Sequence, residues 1–234
     1  MMILAIDSSS NTGSLAVLSD GKVIEEISSD GITPYSERLF RDLAVLQTRA
    51  SFKVSDIDLF AVSAGPGSFT GLRVGMTAVK AWAEVYGRPI AALSRLEAVA
   101  SQSRAGVGLI GAFVDAHRGQ VFGATYRRLP GEPASWQRIG EEAVLDGSEF
   151  LAMVRANCGP SQCVLVSPTP NVLRAASVES ALPGTRIEHV SENLAGAIGR
   201  LGFERALRGE LTDALHLEAN YIQRTKAEIL QKVS

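Results

Sequence analysis

Apolar and polar positions along this chain fall into blocks that predict its elements. Ile3-Leu4-Ala5-Ile6 is a short apolar run closed by Asp7, the pattern of a buried strand. A polar turn, Asp7-Ser8-Ser9-Ser10-Asn11-Thr12-Gly13, separates it from a second strand at Ser14 to Leu18. Asp20-Gly21 follows, and an Asp-Gly pair between apolar runs predicts a tight hairpin because its turn needs positive φ. Val23 to Ile27 then completes a meander. Behind Ser36, the stretch Glu37 to Ala50 repeats Leu39, Phe40, Leu43 and Leu46 at helical spacing, which predicts an amphipathic helix. Leu59 to Ser63 reads as a buried strand, and the loop Gly65-Pro66-Gly67-Ser68-Phe69-Thr70-Gly71 hands it to a helix running to about Tyr86. Gly87 suits the left-handed position after that helix, and Pro89 stops it. Ile90 to Leu93 is a further strand, leading into a helix around Leu96 to Ser101.

The later part begins in the same way. Leu109 to Asp115 is an apolar strand ending in Asp, and Ala116-His117-Arg118-Gly119 turns it into a strand from Gln120 to Tyr126. Two Asp-turn-Gly-strand units point to a diverged duplication. Past Arg128 the pattern loosens, with Pro130, Gly131 and Pro133 marking a loop. Helices are predicted at Glu149 to Ala156 and Glu192 to Leu207, and a strand at Cys163 to Ser167. This order predicts α/β domains with mixed sheets, divided near 104 to 106 into 1–104 and 105–234.

Composition narrows the function classes. The 234 residues are 46% hydrophobic and 21% charged, an ordinary globular balance. Lys and Arg number 23 against 25 Asp and Glu, a net charge of −2, so no uniform basic field draws the chain onto nucleic acid. Any RNA contact must be local or made through a partner. The opening Met-Met-Ile-Leu-Ala-Ile-Asp lacks a basic leader, and no apolar run approaches the roughly 18 residues of a spanning helix, so a cytoplasmic protein without membrane attachment is expected. Cys158 and Cys163 form a C-x4-C pair, and with His117, His189 and His216 scattered they read as structural free thiols rather than metal ligands.

Three features could carry chemistry, each with two readings. The glycine loop between strand and helix is either a tight turn with Ser68 or Thr70 as N-cap, or an anion or nucleotide contact made with Gly67, Ser68, Thr70 and Arg73. It lacks the Gly-Lys-Ser/Thr of a Walker loop, and Pro66 removes a donor. The following helix carries Gly71, Gly75 and Ala78 or Val79 in a row of small residues, yet is apolar on several faces, so it either packs within its own domain or forms a subunit interface. Asp7 and Asp115 each end a strand, where a carboxylate either holds a metal or nucleotide or caps its own turn. No G-x-S-x-G, H-E-x-x-H or H-x-x-x-H is present, which argues against independent hydrolysis, peptidase activity included.

Several of these strings together resemble a known family. Ile3 to Ser9, Ser36-Glu37-Arg38-Leu39, the run Gly65 to Gly75 with Lys80, Ser94-Arg95-Leu96-Glu97-Ala98 and Asp115 to Phe122 are similar to the TsaB (YeaZ) family of the bacterial tRNA threonylcarbamoyladenosine machinery. Ala219-Asn220-Tyr221-Ile222-Gln223 matches the closing P-x-Y-L-R of that family more loosely. The resemblance implies an actin-like, sugar-kinase-type fold of two ribonuclease-H-like domains, the second reduced. It also separates the chain from the catalytic paralogue TsaD, whose H-x-E-x-H pair is here Ser94-Arg95-Leu96-Glu97-Ala98, with Glu97 kept and both histidines gone. The family's His-Ser-Glu is Tyr35-Ser36-Glu37 here, its K-G-L is Lys80-Ala81-Trp82, and its R-R-G-E is His117-Arg118-Gly119-Gln120.

The implied role is a non-catalytic subunit that binds and stabilises TsaD, seats a TsaE-type ATPase, and meets tRNA only within the complex. Its interface with TsaD, or with a second copy when TsaD is absent, is implied on Ser36, Leu39, Phe40, Leu43, Phe69, Leu72, Gly75, Met76, Val79 and Trp82. No cofactor or metal is required by this reading, with ATP or ADP accommodated at the interface and Asp7 among its contacts. The competing reading is an autonomous nucleotide-binding ATPase or kinase of the actin-like superfamily, built on Asp7 and Asp115.

Overall fold

The computed structural model describes residues 1–29, 31, 33–105, 108–129, 135–158 and 163–222. Pro130, Gly131 and Pro133 of the expected loop, and Gln223 of the closing motif, lie outside them. The chain divides into two units, Met1–Ala98 with Ser191–Asn220, and Val99–Val190 with Tyr221–Ser234.

The first unit is built on strands β1 (Met2–Asp7), β2 (Ser14–Ser19), β3 (Lys22–Ser28), β4 (Leu59–Gly65) and β5 (Ile90–Ser94) in the order β3-β2-β1-β4-β5. The meander pairs antiparallel, and β1, β4 and β5 pair parallel. Asp20 and Gly21 both have positive φ, 48° and 76°, so the hairpin turn is the kind the dipeptide favours. Helices α1 (Tyr35–Ala50) and α2 (Phe69–Tyr86) cover one face, where Leu4, Ile6, Leu15, Val17, Phe60 and Val62 meet Leu39, Leu43, Leu46, Met76 and Val79. Helix α6 (Ala195–Leu207) lies across β1, β2 and β4. Covered on both faces, β1 and β4 need continuous apolar sequence rather than alternation, and they have it.

The second unit holds β6 (Leu109–His117), β7 (Gln120–Leu129), β8 (Ser135–Asp146), β9 (Cys163–Ser167) and β10 (Ile187–His189), ordered β10-β9-β6-β7-β8. Taken from its meander edge this is the order and pairing sense of the first sheet, so the duplication suspected from two short strings is a duplication of topology. Its helices are α4 (Gly147–Cys158) and α5 (Ala175–Ala181), with α3 (Arg95–Ser101) joining the two stretches of chain. Seven residues of α5 stand where the first unit has the eighteen of α2, which is the reduction. Cys158 and Cys163 are buried free thiols in this core.

Several boundaries differ from expectation. Strand β8 was invisible in the pattern because Gly140, at φ 77°, opens a bulge opposite Ala124 and breaks the two-residue period. Strand β10 and helix α5 are too short to show a period. Helix α1 starts at Tyr35 behind Pro34, two residues before the expected Glu37. The contiguous division at 104/105 groups α6 with the C-terminal half, whereas its apolar stripe is buried on the first sheet.

Helix α6 also starts at Ala195 rather than Glu192, because its caps come from distant strands. Ser14 Oγ accepts from the backbone N–H of Leu194 at 3.1 Å and of Ala195 at 3.0 Å, and Glu26 Oε1 accepts from Gly196 at 2.9 Å. Ser14→Ala strands two buried donors, so a loss of about 2 kcal/mol is expected. Chemical denaturation checks it, and an unchanged midpoint would remove Ser14 from the capping role.

Candidate functional site at the Asp7 turn and the α1–α2 pair

Strand β1 delivers Asp7, wholly buried, to the end of the sheet. Its Oδ1 accepts from the backbone N–H of Ser9 at 2.9 Å and from Ser9 Oγ at 2.5 Å, so the carboxylate caps its own turn. Among the described residues Asp7 Oδ2 and Ser8 Oγ have no hydrogen-bond partner. Asp115 behaves similarly in the second unit, its Oδ1 accepting from the His117 N–H at 2.7 Å. Of the two readings of these aspartates, the capping one describes the bonds observed.

The glycine loop closes over the Asp7 turn, with the Gly65–Pro66 peptide cis and the Ser68 N–H donating to the Ser9 carbonyl at 2.8 Å. Ser68 is the N-cap of α2, accepting from the Gly71 N–H at 3.3 Å, so Thr70 is not the cap. A Cβ at Gly67 would lie 2.2 Å from the Ser9 carbonyl oxygen, one at Gly71 2.0 Å from that of Ser8, and one at Gly75 2.2 Å from Ser8 Oγ. The small-residue row therefore lets the first turns of α2 rest on the turn after β1, which is the within-domain reading.

The residues expected at an interface separate by exposure. Leu39, Leu43, Leu72, Gly75, Met76 and Val79 are turned into the core of their own unit, so they present no surface to a partner. Ser36, Phe40 and Phe69 face outward, and Trp82 is half-buried. Phe40 is 62% exposed and Phe69 52%, unusual for rings on a helix surface. Phe40 stands edge-on to Trp82 at 6.2 Å, and Trp82 rests on Phe60 at 5.9 Å. Arg73, expected at an anion, lies over the Phe69 ring at 3.8 Å. Val85 and Tyr86 are further exposed apolar residues toward the end of α2, outside the set the resemblance implied.

Three buried polar side chains went unread in the sequence: Tyr35, Arg38 and Arg95. Arg95 Nη1 reaches the Ser9 carbonyl at 3.5 Å, and burial holds its guanidinium below the usual arginine range, against the pull of Asp7 and Glu192. Burial, then Asp7 and Asp42, push the Tyr35 hydroxyl far up. Glu97 is bridged by Arg205 Nη2 at 3.0 and 3.2 Å. Beside it, burial raises the Glu204 carboxyl, and Glu97 adds to that, against Arg208 and Arg205. A carboxyl raised on folding favours the fold below its unfolded pKa and loses that contribution as pH rises through the folded value. Glu204→Gln should therefore melt higher than the parent at pH 7 and converge with it toward pH 4, measured by thermal unfolding across that range.

Among the described residues no group of three or more His, Cys, Asp or Glu could hold a metal ion, and no helix is long and apolar enough to cross a membrane.

Two sheets of one topology, each strand-end turn carrying an aspartate, define an actin-like, sugar-kinase-type α/β protein. A ROK hexokinase from Thermus thermophilus shares the fold with a TM-score of 0.53 at 11% identity, over 90% of this chain and all of that one. YeaZ from Pseudomonas aeruginosa superposes at a TM-score of 0.75 with 22% identity, over 94% of this chain and 99% of that one. The family described as TsaD, tRNA N6-adenosine threonylcarbamoyltransferase, matches residues 25–154, and the chain belongs to that family, on its TsaB/YeaZ side. The tRNA threonylcarbamoyladenosine biosynthesis protein TsaB of Bacillus subtilis (strain 168) is 37% identical over 152 residues, 65% of this chain. The match spans 63% of that relative's length.

Proposed function

We propose that this chain works in the biosynthesis of threonylcarbamoyladenosine in tRNA as a partner subunit that binds and stabilises a TsaD homologue and does not itself transfer the threonylcarbamoyl group. The observation that carries the reading is the exposed apolar surface of the helix pair, where Phe40 stands in solvent edge-on to a half-buried Trp82 and Phe69 is exposed at the start of α2. A ring costs free energy in water and gains it back in a desolvated contact, so such a face fits an interface. The interface consists of Ser36, Phe40, Phe69 and Trp82, with Val85 and Tyr86 at its end. Leu39, Leu43, Leu72, Gly75, Met76 and Val79 support it from beneath.

The non-catalytic part of the reading is supported by the Glu97 carboxylate being bridged by Arg205, while the buried Arg95 reaches the Ser9 carbonyl of the Asp7 turn. Asp7 is occupied in part by its own turn, which weighs against the autonomous ATPase or kinase. In the complex this chain helps seat the TsaE-type ATPase, tRNA is met there, and ATP or ADP sits at the interface. Without TsaD the same face pairs two copies of this chain, in the cytoplasm.

The test is transfer of labelled threonine to tRNA by a TsaD homologue, its TsaE-type ATPase and the adenylate-forming enzyme, with and without this protein. Incorporation only in its presence is expected. Incorporation indifferent to it would end this reading.

A further inference from the structure

A pocket of about 310 Å³ opens in the first unit between the Asp7 turn, the start of α1 and the first turn of α2. Its wall carries hydrogen-bonding groups from Ser10, Asn11, Thr33, Tyr35, Ser68 and Thr70. Arg38 belongs to that wall and is only 1% exposed. Its Nη2 donates to the Asn11 carbonyl, while among the described residues Nε and Nη1 find no hydrogen-bond partner, and neither does the buried Tyr35 hydroxyl. The Tyr35 ring, 5.1 Å from the guanidinium carbon, is a weak substitute for a counter-ion.

Among the described residues no carboxylate forms an ion pair with Arg38. Asp42, one turn along the same helix, pairs with Arg41 and accepts the Ser29 hydroxyl. Asp7 acts on Tyr35 through space, yet it is not in the pocket wall. A buried cation with unmet donors is unfavourable unless an anion completes it. The N-terminus of α2, with Ser68 and Thr70, adds a dipole of the sign that attracts one.

We infer that this pocket binds a small phosphate-bearing ligand, its oxyanion held by the buried Arg38 with the hydroxyls of Tyr35, Ser10 and Thr70 as donors. The volume lies at the small end of ligand pockets, enough for a phosphate and a compact attached group. Two of the residues named from the glycine loop, Ser68 and Thr70, thus line the site, but the cation comes from α1 and not from Arg73.

The experiment uses the whole chain alone and is independent of any partner. Inorganic phosphate in the millimolar range should raise the unfolding midpoint saturably, with chloride at equal ionic strength moving it little. Arg38→Met replaces the buried charge with an apolar chain, so it should keep the fold and abolish the phosphate-dependent rise. Thr70→Val with Ser10→Ala keeps Arg38 and should raise the half-saturating phosphate concentration about tenfold. That pair carries the test if Arg38→Met does not fold. Repeating the titration with adenosine monophosphate separates the sources, since tighter half-saturation than phosphate marks a nucleotide and equal or weaker marks phosphate itself. A midpoint indifferent to phosphate, or a rise that the variants share with the parent, overturns the inference.

Discussion

Gly71→Ala should lower the unfolding midpoint by about 6 °C. A Cβ there would lie 2.0 Å from the Ser8 carbonyl oxygen, a backbone atom pinned between β1 and α2, so neither side can yield without moving an element. Overpacking of this kind costs typically about 1–3 kcal/mol and more where backbone must shift, against about 1 kcal/mol that Ala gains over Gly in a helix. We take a net loss of about 2 kcal/mol, which for a chain of this size corresponds to the stated shift. Gly87→Ala is the internal comparison, because Gly87 has φ 61° and no atom of the described residues within 4 Å of a Cβ, leaving only backbone strain of about 1 kcal/mol. Calorimetry on the two variants decides the point, and a Gly71→Ala protein as stable as its parent would mean that α2 does not rest on the Asp7 turn.

Phe40→Asp should weaken binding of a TsaD homologue about thirtyfold or more while leaving the fold intact. At 62% exposure the ring adds little to the core beyond its edge contact with Trp82, worth about 1 kcal/mol, whereas an aromatic anchor at the centre of an interface costs about 2 kcal/mol or more when lost. Titration calorimetry gives the affinity, and circular dichroism confirms the fold. Leu43→Ala supplies the contrast, since Leu43 is 5% exposed and its truncation should lower stability by about 3 kcal/mol without a specific binding defect. Equal affinity for parent and Phe40→Asp would move the interface away from α1.

How much of this was legible follows from particular residues. The run Ile3 to Asp7, the Asp20-Gly21 turn, and Gly87 after α2 each carry their meaning locally, through apolar periodicity or a backbone angle that few residues adopt. The family resemblance was legible for the same reason, because the glycine loop is a contiguous string. The helix pair was legible as apolar, but not which side faced inward. Leu72, Gly75 and Val79 share the apolar signature of Phe40 and Phe69, and only the sheet beneath them separates core from surface.

What the amino-acid sequence by itself determined is therefore the set of short-range features: strand runs, hairpin turn, helix stops, the glycine loop and the twin Asp turns. The tertiary structure decided everything that depends on residues far apart in the chain. Ser14 caps a helix that begins 181 positions later, Glu26 does the same from β3, and Arg205 reaches Glu97 across 108 positions. Arg38 reads as one more charge on an amphipathic helix, and becomes a buried cation because the Asn11 loop, the start of α1 and α2 close around it. Local propensity and periodicity are encoded within a few residues, whereas burial and charge pairing are properties of surfaces that exist only once the sheet has formed.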